Sequence, residues 1–209
     1  SAWSKMEHQQ FGFEFGSSPG ERLRWLKEAL PVIRGMLDGT RPSAAGDHYA
    51  ISDVQNAPPP VQEHLPLLVG GSGPRVTLRL VAQFADICNI GGSAEIVAGK
   101  DKVLIEHCEG IGRDEREIER SIDVGVPVLR DSREEATRIQ AAIFEHNGGA
   151  KVWEHQPVGT PDDVVEFLAP YVELGYHHLV FYFPAPFDEE TMTRLAREVR
   201  PRLEAIIDA

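Results

Sequence analysis

The residues with the clearest chemical potential form a glycine cluster, in which Ser72 interrupts Gly70, Gly71 and Gly73 and Arg75 follows closely. The cluster comes directly after a short apolar run and before a stretch with helical periodicity. Glycines at such a junction let the backbone approach a ligand, and free N–H groups at a helix start attract anions. Ser72 adds a hydroxyl and Arg75 a positive charge. The pattern predicts a phosphate cradle.

The same residues also fit an ordinary tight turn between a strand and a helix, and their spacing alone leaves both interpretations open. The cluster lacks the Gly-Lys-Ser/Thr of a Walker loop and the spacing Gly-x-Gly-x-x-Gly. Pro74 suits a first helical turn, where its missing N–H costs nothing. The pattern therefore predicts a helix over 74–84 behind the cluster.

Four short apolar runs alternate with helical stretches along the chain, and they predict strands at 67–69, 86–90, 120–126 and 178–183. Strands that are apolar on both faces are typical of a parallel sheet covered by helices. The fold class is therefore α/β, either a small doubly wound sheet or half of an eight-stranded barrel. We expect one open sheet edge at the strand near Leu68.

Two further segments stand out in what we expect to be a single domain over residues 1–209. Residues 38–66 are rich in Pro, Gly, Ser and Asp, and an excursion of this length inside a domain usually serves a function. The chain opens on a loop-like segment with Trp3, Phe11, Phe13 and Phe15. Together with an open sheet edge, such aromatics would expose apolar surface, which favours self-association.

Composition excludes several classes of function. The formal charge of −12 repels nucleic acid, and no stripe of Lys and Arg offsets it. No apolar stretch is long enough for a membrane span, and the amino terminus shows no signal peptide. Cys88 and Cys108 fit small core residues in a reducing compartment, so we expect the cytoplasm. The eight histidines show no metal-ligand spacing, and we assign no metal.

Five motifs in a fixed order make the chain resemble a known family. They are "W-x-x-x-E-H-x-x-F-G" from Trp3, "RLRWLKEALPVIRGML", "GDHY", "PLLVGGSGPRVTLRLVAQFADICNIGG" and "VGTPDDVVEFLAPYVELGYHHLVFYFP". The chain resembles the luciferase-like monooxygenase superfamily, and within it the oxidoreductases that use the deazaflavin coenzyme F420. The resemblance implies the C-terminal half of a TIM barrel, (β/α)8 type, with four parallel strands, outer helices and residues 38–66 as the family's insertion. The resemblance implies that the family's first four strands would precede Trp3, so we expect this sequence to correspond to the part of the barrel that follows them.

The resemblance also implies roles for individual residues. Trp3 would face the cofactor ring or the substrate, and Glu7 would brace that loop. Ala2 stands where the family usually has a glycine that lets the ring approach. The cluster Gly70, Gly71, Ser72 and Gly73 would hold the ribityl-phosphate arm, with Arg75 as the nearest helping charge. No catalytic residue is assigned.

The implied activity is hydride transfer between coenzyme F420, or alternatively FMN, and a small organic substrate that the sequence does not identify. Two alternatives stay open: a non-catalytic protein that binds flavin or another phosphate ligand, and an inactive fragment of such an enzyme. As partners we expect a small-molecule substrate and either a homo-oligomer or pairing with the missing N-terminal half, but no nucleic acid and no membrane.

Overall fold

The computed structural model describes residues 4–149 and 156–208. The chain forms two compact units, which are described separately below. Unit 1 comprises Ser1–Cys88 with Val103–Ile118, and unit 2 comprises Asn89–Lys102 with Glu119–Ala209. No helix in the described ranges is both long and apolar enough to cross a membrane.

The helices occupy the stretches that alternate with the predicted strands. The described residues contain α1 (Lys5–Gln10), α2 (Pro19–Leu37), α3 (Thr77–Phe84), α4 (Ala94–Glu109), α5 (Arg133–His146), α6 (Pro161–Glu173), α7 (Glu189–Arg194) and α8 (Arg200–Ile207). A 3-10 turn covers Glu115–Glu117, and a π-helical segment, Leu195–Val199, joins α7 to α8. Residues 189–207 therefore form one continuous helical stretch, whose hydrogen-bonding pattern changes just before Pro201. Proline lacks the backbone N–H that an α-helical hydrogen bond would need at this position.

The strands confirm the four predicted positions and add short pairs. The strands are β1 (Ala44–Ala45), β2 (Ala50–Ile51), β3 (Leu68–Gly70), β4 (Ile87–Gly91), β5 (Glu119–Gly125), β6 (Val128–Leu129), β7 (Val158–Gly159) and β8 (His178–Phe181). The main sheet is parallel with the order β3-β4-β5-β8. Leu68 lies on an edge strand as predicted, but β8 ends the order on the other side, so the described sheet has two edges.

Unit 1 contains α2, α3 and the excursion at 38–66. Helix α2 packs against α3, and Leu30, Leu78 and Val81 supply fully buried side chains. The excursion is mostly irregular, with the antiparallel pair β1–β2 as its regular part. Phe11 and Phe13 are 75% and 67% exposed, which confirms that the opening segment leaves aromatic surface uncovered.

Asp86 fixes the start of β3 in unit 1. Its carboxylate accepts a hydrogen bond of 2.7 Å from the Leu67 backbone N–H and lies 3.1 Å from Arg34 Nη1 and 2.9 Å from His64 Nε2. Partial burial tends to raise the pKa of Asp86, but these partners outweigh it and hold the pKa below its ordinary value of 3.8. The ionised form is therefore the one that the folded state prefers.

We expect Asp86→Asn to remove part of the chain's acid sensitivity. A carboxyl whose pKa is depressed by folding contributes stability above its ordinary pKa, and that contribution is lost as the pH falls through the folded pKa. Urea unfolding from neutral pH downward should show a shallower loss in the variant than in the wild type. The exposed Asp47→Asn variant is the control, and equal acid slopes in all three proteins would contradict the prediction.

Unit 2 is built on the parallel pair β5–β8, whose register aligns Ser121 with His178 and Asp123 with Val180 before an irregularity at Gly125. Helix α6 begins in a capping box, in which Thr160 and Asp163 exchange hydrogen bonds, as the Thr-Pro-Asp-Asp pattern suggests. Ile122, Val164 and Leu168 are fully buried in this unit. Both β5 and α6 therefore contribute side chains to the core of unit 2.

Candidate functional site

The glycine cluster lies where strand β3 ends. Gly70 is the last residue of the strand, and Gly71 has a φ of +125°, a conformation that residues with side chains rarely adopt. A Cβ on Gly71 would lie 3.2 Å from Thr77 Cγ2, and one on Gly73 would lie 2.9 Å from Thr77 Oγ1. The glycines therefore serve a sharp turn that closes tightly onto Thr77.

The helix behind the cluster begins later than predicted. Helix α3 starts at Thr77, and residues 74–76 form a turn, so Pro74 is not in its first helical turn. The Leu78 N–H reaches back to the Gly73 carbonyl at 3.0 Å, and the His107 ring bonds the Pro74 carbonyl at 2.7 Å. These two contacts hold the turn in a shape that local sequence rules do not encode.

The turn leaves donors free. Among the described residues, the N–H groups of Gly73, Arg75, Val76 and Thr77 have no hydrogen-bond acceptor, and neither does the half-buried Ser72 hydroxyl have a partner. A run of unpaired backbone donors beside a free hydroxyl is the arrangement that proteins use to hold anions. These donors are therefore available to a ligand without the loss of a hydrogen bond between described residues.

Arg75 occupies the turn between the loop and α3. Its side chain is exposed and lines a groove between α2 and α3 in unit 1. It makes no ion pair with a described residue. Its positive charge is therefore not neutralised by an ion pair with a described residue, and it lies next in sequence to the unpaired backbone N–H groups of the turn.

The other two predicted cofactor residues are Trp3 and Glu7. Trp3 falls outside the described residues. Glu7 lies in the first turn of α1, where its backbone N–H donates to Ser4 Oγ at 3.3 Å while its carboxylate is exposed. The roles of Trp3 and Glu7 stay predictions.

A polar cluster in unit 2 was missed by the sequence reasoning. The Asn89 amide lies 3.0 Å from Ser121 Oγ and 3.4 Å from Asp123 Oδ1, and Asp123 accepts a hydrogen bond from the Tyr182 hydroxyl. These residues come from β4, β5 and the end of β8. The available signal was the presence of polar side chains inside apolar strand runs, which the strand assignment did not use.

The polar cluster lies on the sheet face away from the helices. Leu179, Phe181 and Phe183 line an apolar cavity of about 520 Å³ together with Met192 and Leu195 of the C-terminal helices. Because side chains alternate along a strand, Val180 and Tyr182 point to the opposite face. Burial and the adjacent Asp123 carboxylate raise the pKa of Tyr182 above its usual value, so its proton stays on the phenol at neutral pH.

No group of three or more His, Cys, Asp or Glu side chains that could hold a metal ion occurs in the described parts of the chain. His107 and His64 instead make contacts within unit 1, to the Pro74 carbonyl and to Asp86. Cys88 and Cys108 are both buried, as predicted for small core residues.

A family comparison decides what kind of chain carries this loop. The model for luciferase-like monooxygenases matches residues 1–157. This chain belongs to that family. The luciferase-like resemblance seen in the motifs is thereby confirmed, and so is the α/β fold of TIM-barrel type with four parallel strands.

Individual relatives agree with the luciferase-like assignment. An F420-dependent glucose-6-phosphate dehydrogenase from Microbacterium testaceum is 29% identical over 92% of this chain. Among solved structures, a monooxygenase from Streptomyces bottropensis has a TM-score of 0.75 at 16% identity, covering 96% of this chain and 66% of its own. The F420-dependent tetrahydromethanopterin reductase from Methanopyrus kandleri has a TM-score of 0.72 at 17% identity, covering 96% of this chain and 72% of its own. Both structures share the fold.

The luciferase-like chain is shorter than its relatives. It covers 64% of the length of the Microbacterium testaceum dehydrogenase. What the whole protein does is therefore addressed as a proposal.

Proposed function

We propose that the chain is part of an oxidoreductase that transfers a hydride between coenzyme F420 and a small organic substrate, with FMN as the alternative cofactor. The observation that carries the proposal is the glycine cluster with the turn that follows it, residues 70–77, where the unpaired N–H groups and the Ser72 hydroxyl suit the phosphate of either cofactor. Dehydrogenases that depend on F420 among the relatives support this cofactor. They also favour an enzyme over a non-catalytic binder.

The residues of the loop would bind and orient rather than react. The N–H groups of Gly73, Val76 and Thr77 would donate to phosphate oxygens, and Arg75 would add a positive charge. When bound, the deazaflavin or flavin ring would supply the hydride chemistry. The protein's contribution is then the position of the phosphate arm, which fixes where the rest of the cofactor can lie.

The polar cluster of Asn89, Ser121, Asp123 and Tyr182 would add a proton-bearing group on the sheet face away from the helices. The phenol of Tyr182 donates its one proton to the Asp123 carboxylate. Its oxygen can then accept a hydrogen bond from a hydroxyl group of a substrate. We infer that this cluster helps to orient the substrate.

Glucose 6-phosphate is the substrate that the dehydrogenase relatives suggest. The substrate class that we propose is a small organic molecule with an oxidisable carbon. A cytoplasmic location, a single domain, and either a homo-oligomer or pairing with an N-terminal half stay predictions.

Ser72→Ala tests the phosphate cradle with little disturbance of the fold. The hydroxyl has no partner among the described residues, so its loss should change the free energy of unfolding by less than about 0.5 kcal/mol. A lost hydrogen bond to an anion is worth about 1.5–3 kcal/mol, so cofactor affinity should fall about 10- to 100-fold. Titrations of F420 and of FMN against both proteins measure this.

Ser132→Ala is the matched control, because it removes the same hydroxyl group from a serine whose oxygen already accepts a hydrogen bond within the protein. Ser132 Oγ accepts a hydrogen bond of 3.2 Å from the Glu135 N–H at the start of α5. The control should lose about 1 kcal/mol of stability and keep its cofactor affinity. If Ser72→Ala binds both cofactors as tightly as the wild type, the loop is an ordinary turn.

A further inference from the structure

A groove between α2 and α3 in unit 1 gathers positive charge in an otherwise acidic chain. The groove measures about 470 Å³, and its lining includes Arg24 and Lys27 from α2 and Arg75 and Arg79 from α3 and the turn before it. The chain as a whole carries a formal charge of −12. Four cations along one groove are therefore a local reversal of the protein's field. We call this feature the cationic groove.

The packing of α2 against α3 brings the four side chains to one groove. Arg24 and Lys27 are three residues apart on α2, and residues at this spacing are neighbours on one helix face. Arg79 lies in α3, and Arg75 lies in the turn that precedes it. The floor between the cations is apolar, formed by Leu23, Val76 and Leu80.

No carboxylate lines the cationic groove, and none of its four cations makes an ion pair or side-chain hydrogen bond with a described residue. The two acids of α2 have hydrogen-bond partners outside the groove, and hydrogen bonds from Ser17, with a smaller effect of the nearby Arg24 charge, lower the pKa of Glu21. Glu21 accepts hydrogen bonds from Ser17, at 2.7 Å from its hydroxyl, and Glu28 accepts from the backbone N–H groups of His48 and Tyr49 at 3.0 Å. Helix α3 contains no acidic residue.

Like charges at such spacing repel one another and lower stability. A bound anion reverses the sign of that interaction, and guanidinium groups pair with phosphate through two parallel hydrogen bonds. Three arginines and one lysine around a groove of about 470 Å³ suit several linked phosphates better than a single one.

We propose that the cationic groove is a binding site for a small polyphosphate, either inorganic or the di- or triphosphate end of an organic ester. This site adjoins the cofactor loop at Arg75, and its ligand goes beyond the proposed oxidoreductase function. Arg75 lies between the two features, so the test below leaves Arg75 unchanged.

The test is titration calorimetry of tripolyphosphate against the full chain and the double variant Arg24→Gln/Arg79→Gln. We expect binding to the wild type that weakens as salt is added, and at least a tenfold loss of affinity in the double variant. The matched control is Arg138→Gln/Arg200→Gln, which changes net charge equally at exposed arginines paired with Glu135 and Glu204. The control should bind like the wild type.

Three further measurements make the outcome decisive. The double variant should melt no lower than the wild type, because it relieves like-charge repulsion; Arg79→Gln alone serves if the double variant is poorly folded. Its affinity for F420 and FMN should be unchanged, whereas Ser72→Ala should show the reverse pattern. Orthophosphate and citrate should bind at least tenfold more weakly than tripolyphosphate.

Absence of tripolyphosphate binding to the wild type would overturn the proposal, and so would an equal loss in the control variant, which would indicate a nonspecific charge effect. Citrate that binds as tightly as tripolyphosphate would overturn the assignment to phosphate. A loss of F420 or FMN affinity in the double variant would show that the groove belongs to the cofactor site.

Discussion

Replacing Arg130 by Met is expected to lower the free energy of unfolding by about 3–5 kcal/mol, because it leaves a buried carboxylate without its partner. Arg130 Nη2 lies 3.0 Å from Asp188 Oδ1, and the two side chains are only 11% and 8% exposed. Arg130 Nη1 also lies 3.1 Å from Thr191 Oγ1, which accepts a hydrogen bond from the Leu129 N–H. The pair thus joins the end of β6 to the start of α7 in unit 2.

The charge on Asp188, rather than lost packing, is the expected cause. Burial alone would raise the pKa of Asp188, but hydrogen bonds from Arg130 and Thr191 outweigh it and lower the pKa. Without Arg130 the burial effect remains, so Asp188 should resist ionisation and the variant's deficit should shrink as the pH falls.

The control is the double variant Arg130→Met/Asp188→Asn. Asn retains an oxygen that can accept the Thr191 N–H at the start of α7, and it carries no charge. Urea unfolding should show that the double variant regains most of the loss. A single variant that loses less than about 1 kcal/mol would mean that water screens the pair as at a surface.

The strands were predictable from the sequence because each is an apolar run that glycine, proline or a capping residue ends. Leu68–Gly70 stops at the glycine cluster and His178–Phe181 lies just before Pro184. Such signals are local, so one sequence suffices to place the elements. The family motifs added the barrel type, which no local pattern specifies.

The start of α3 could not be predicted, because contacts distant in sequence decide it. Pro74 satisfied the local rule for a first helical turn, yet the His107 ring bonds its carbonyl at 2.7 Å, and the helix begins three residues later. Because this histidine lies 33 residues away in sequence, the residues around Pro74 alone do not indicate the contact.

The polar cluster and the cationic groove were missed for the same physical reason. Asn89, Ser121 and Tyr182 lie on three strands, and only the sheet order brings them together. Likewise, the cations of α2 become part of a cationic groove only because α3, which carries Arg79, packs beside α2. Sequence periodicity assigns a face to each element but does not say which faces meet.

Gly71→Ala is expected to reduce both stability and cofactor affinity. The φ of +125° at Gly71 is unfavourable for any residue with a Cβ, and that Cβ would lie 3.2 Å from Thr77 Cγ2. Such strain costs about 1–3 kcal/mol. The strain should also displace the N–H groups of the phosphate cradle, so F420 and FMN affinity should fall by about tenfold or more.

Gly175→Ala separates the two effects, since it also places a Cβ at a positive φ, here +87°, with no atom within 4 Å. Gly175 ends α6 and precedes β8, at the amino end of a strand, whereas Gly71 follows the carboxyl end of β3. Barrel enzymes place their sites at carboxyl ends of strands. We therefore expect Gly175→Ala to melt earlier but bind cofactor normally, under conditions where both variants stay folded. Cofactor affinity that is intact in Gly71→Ala, or equally reduced in both variants, would argue against a phosphate cradle at Gly70–Gly73.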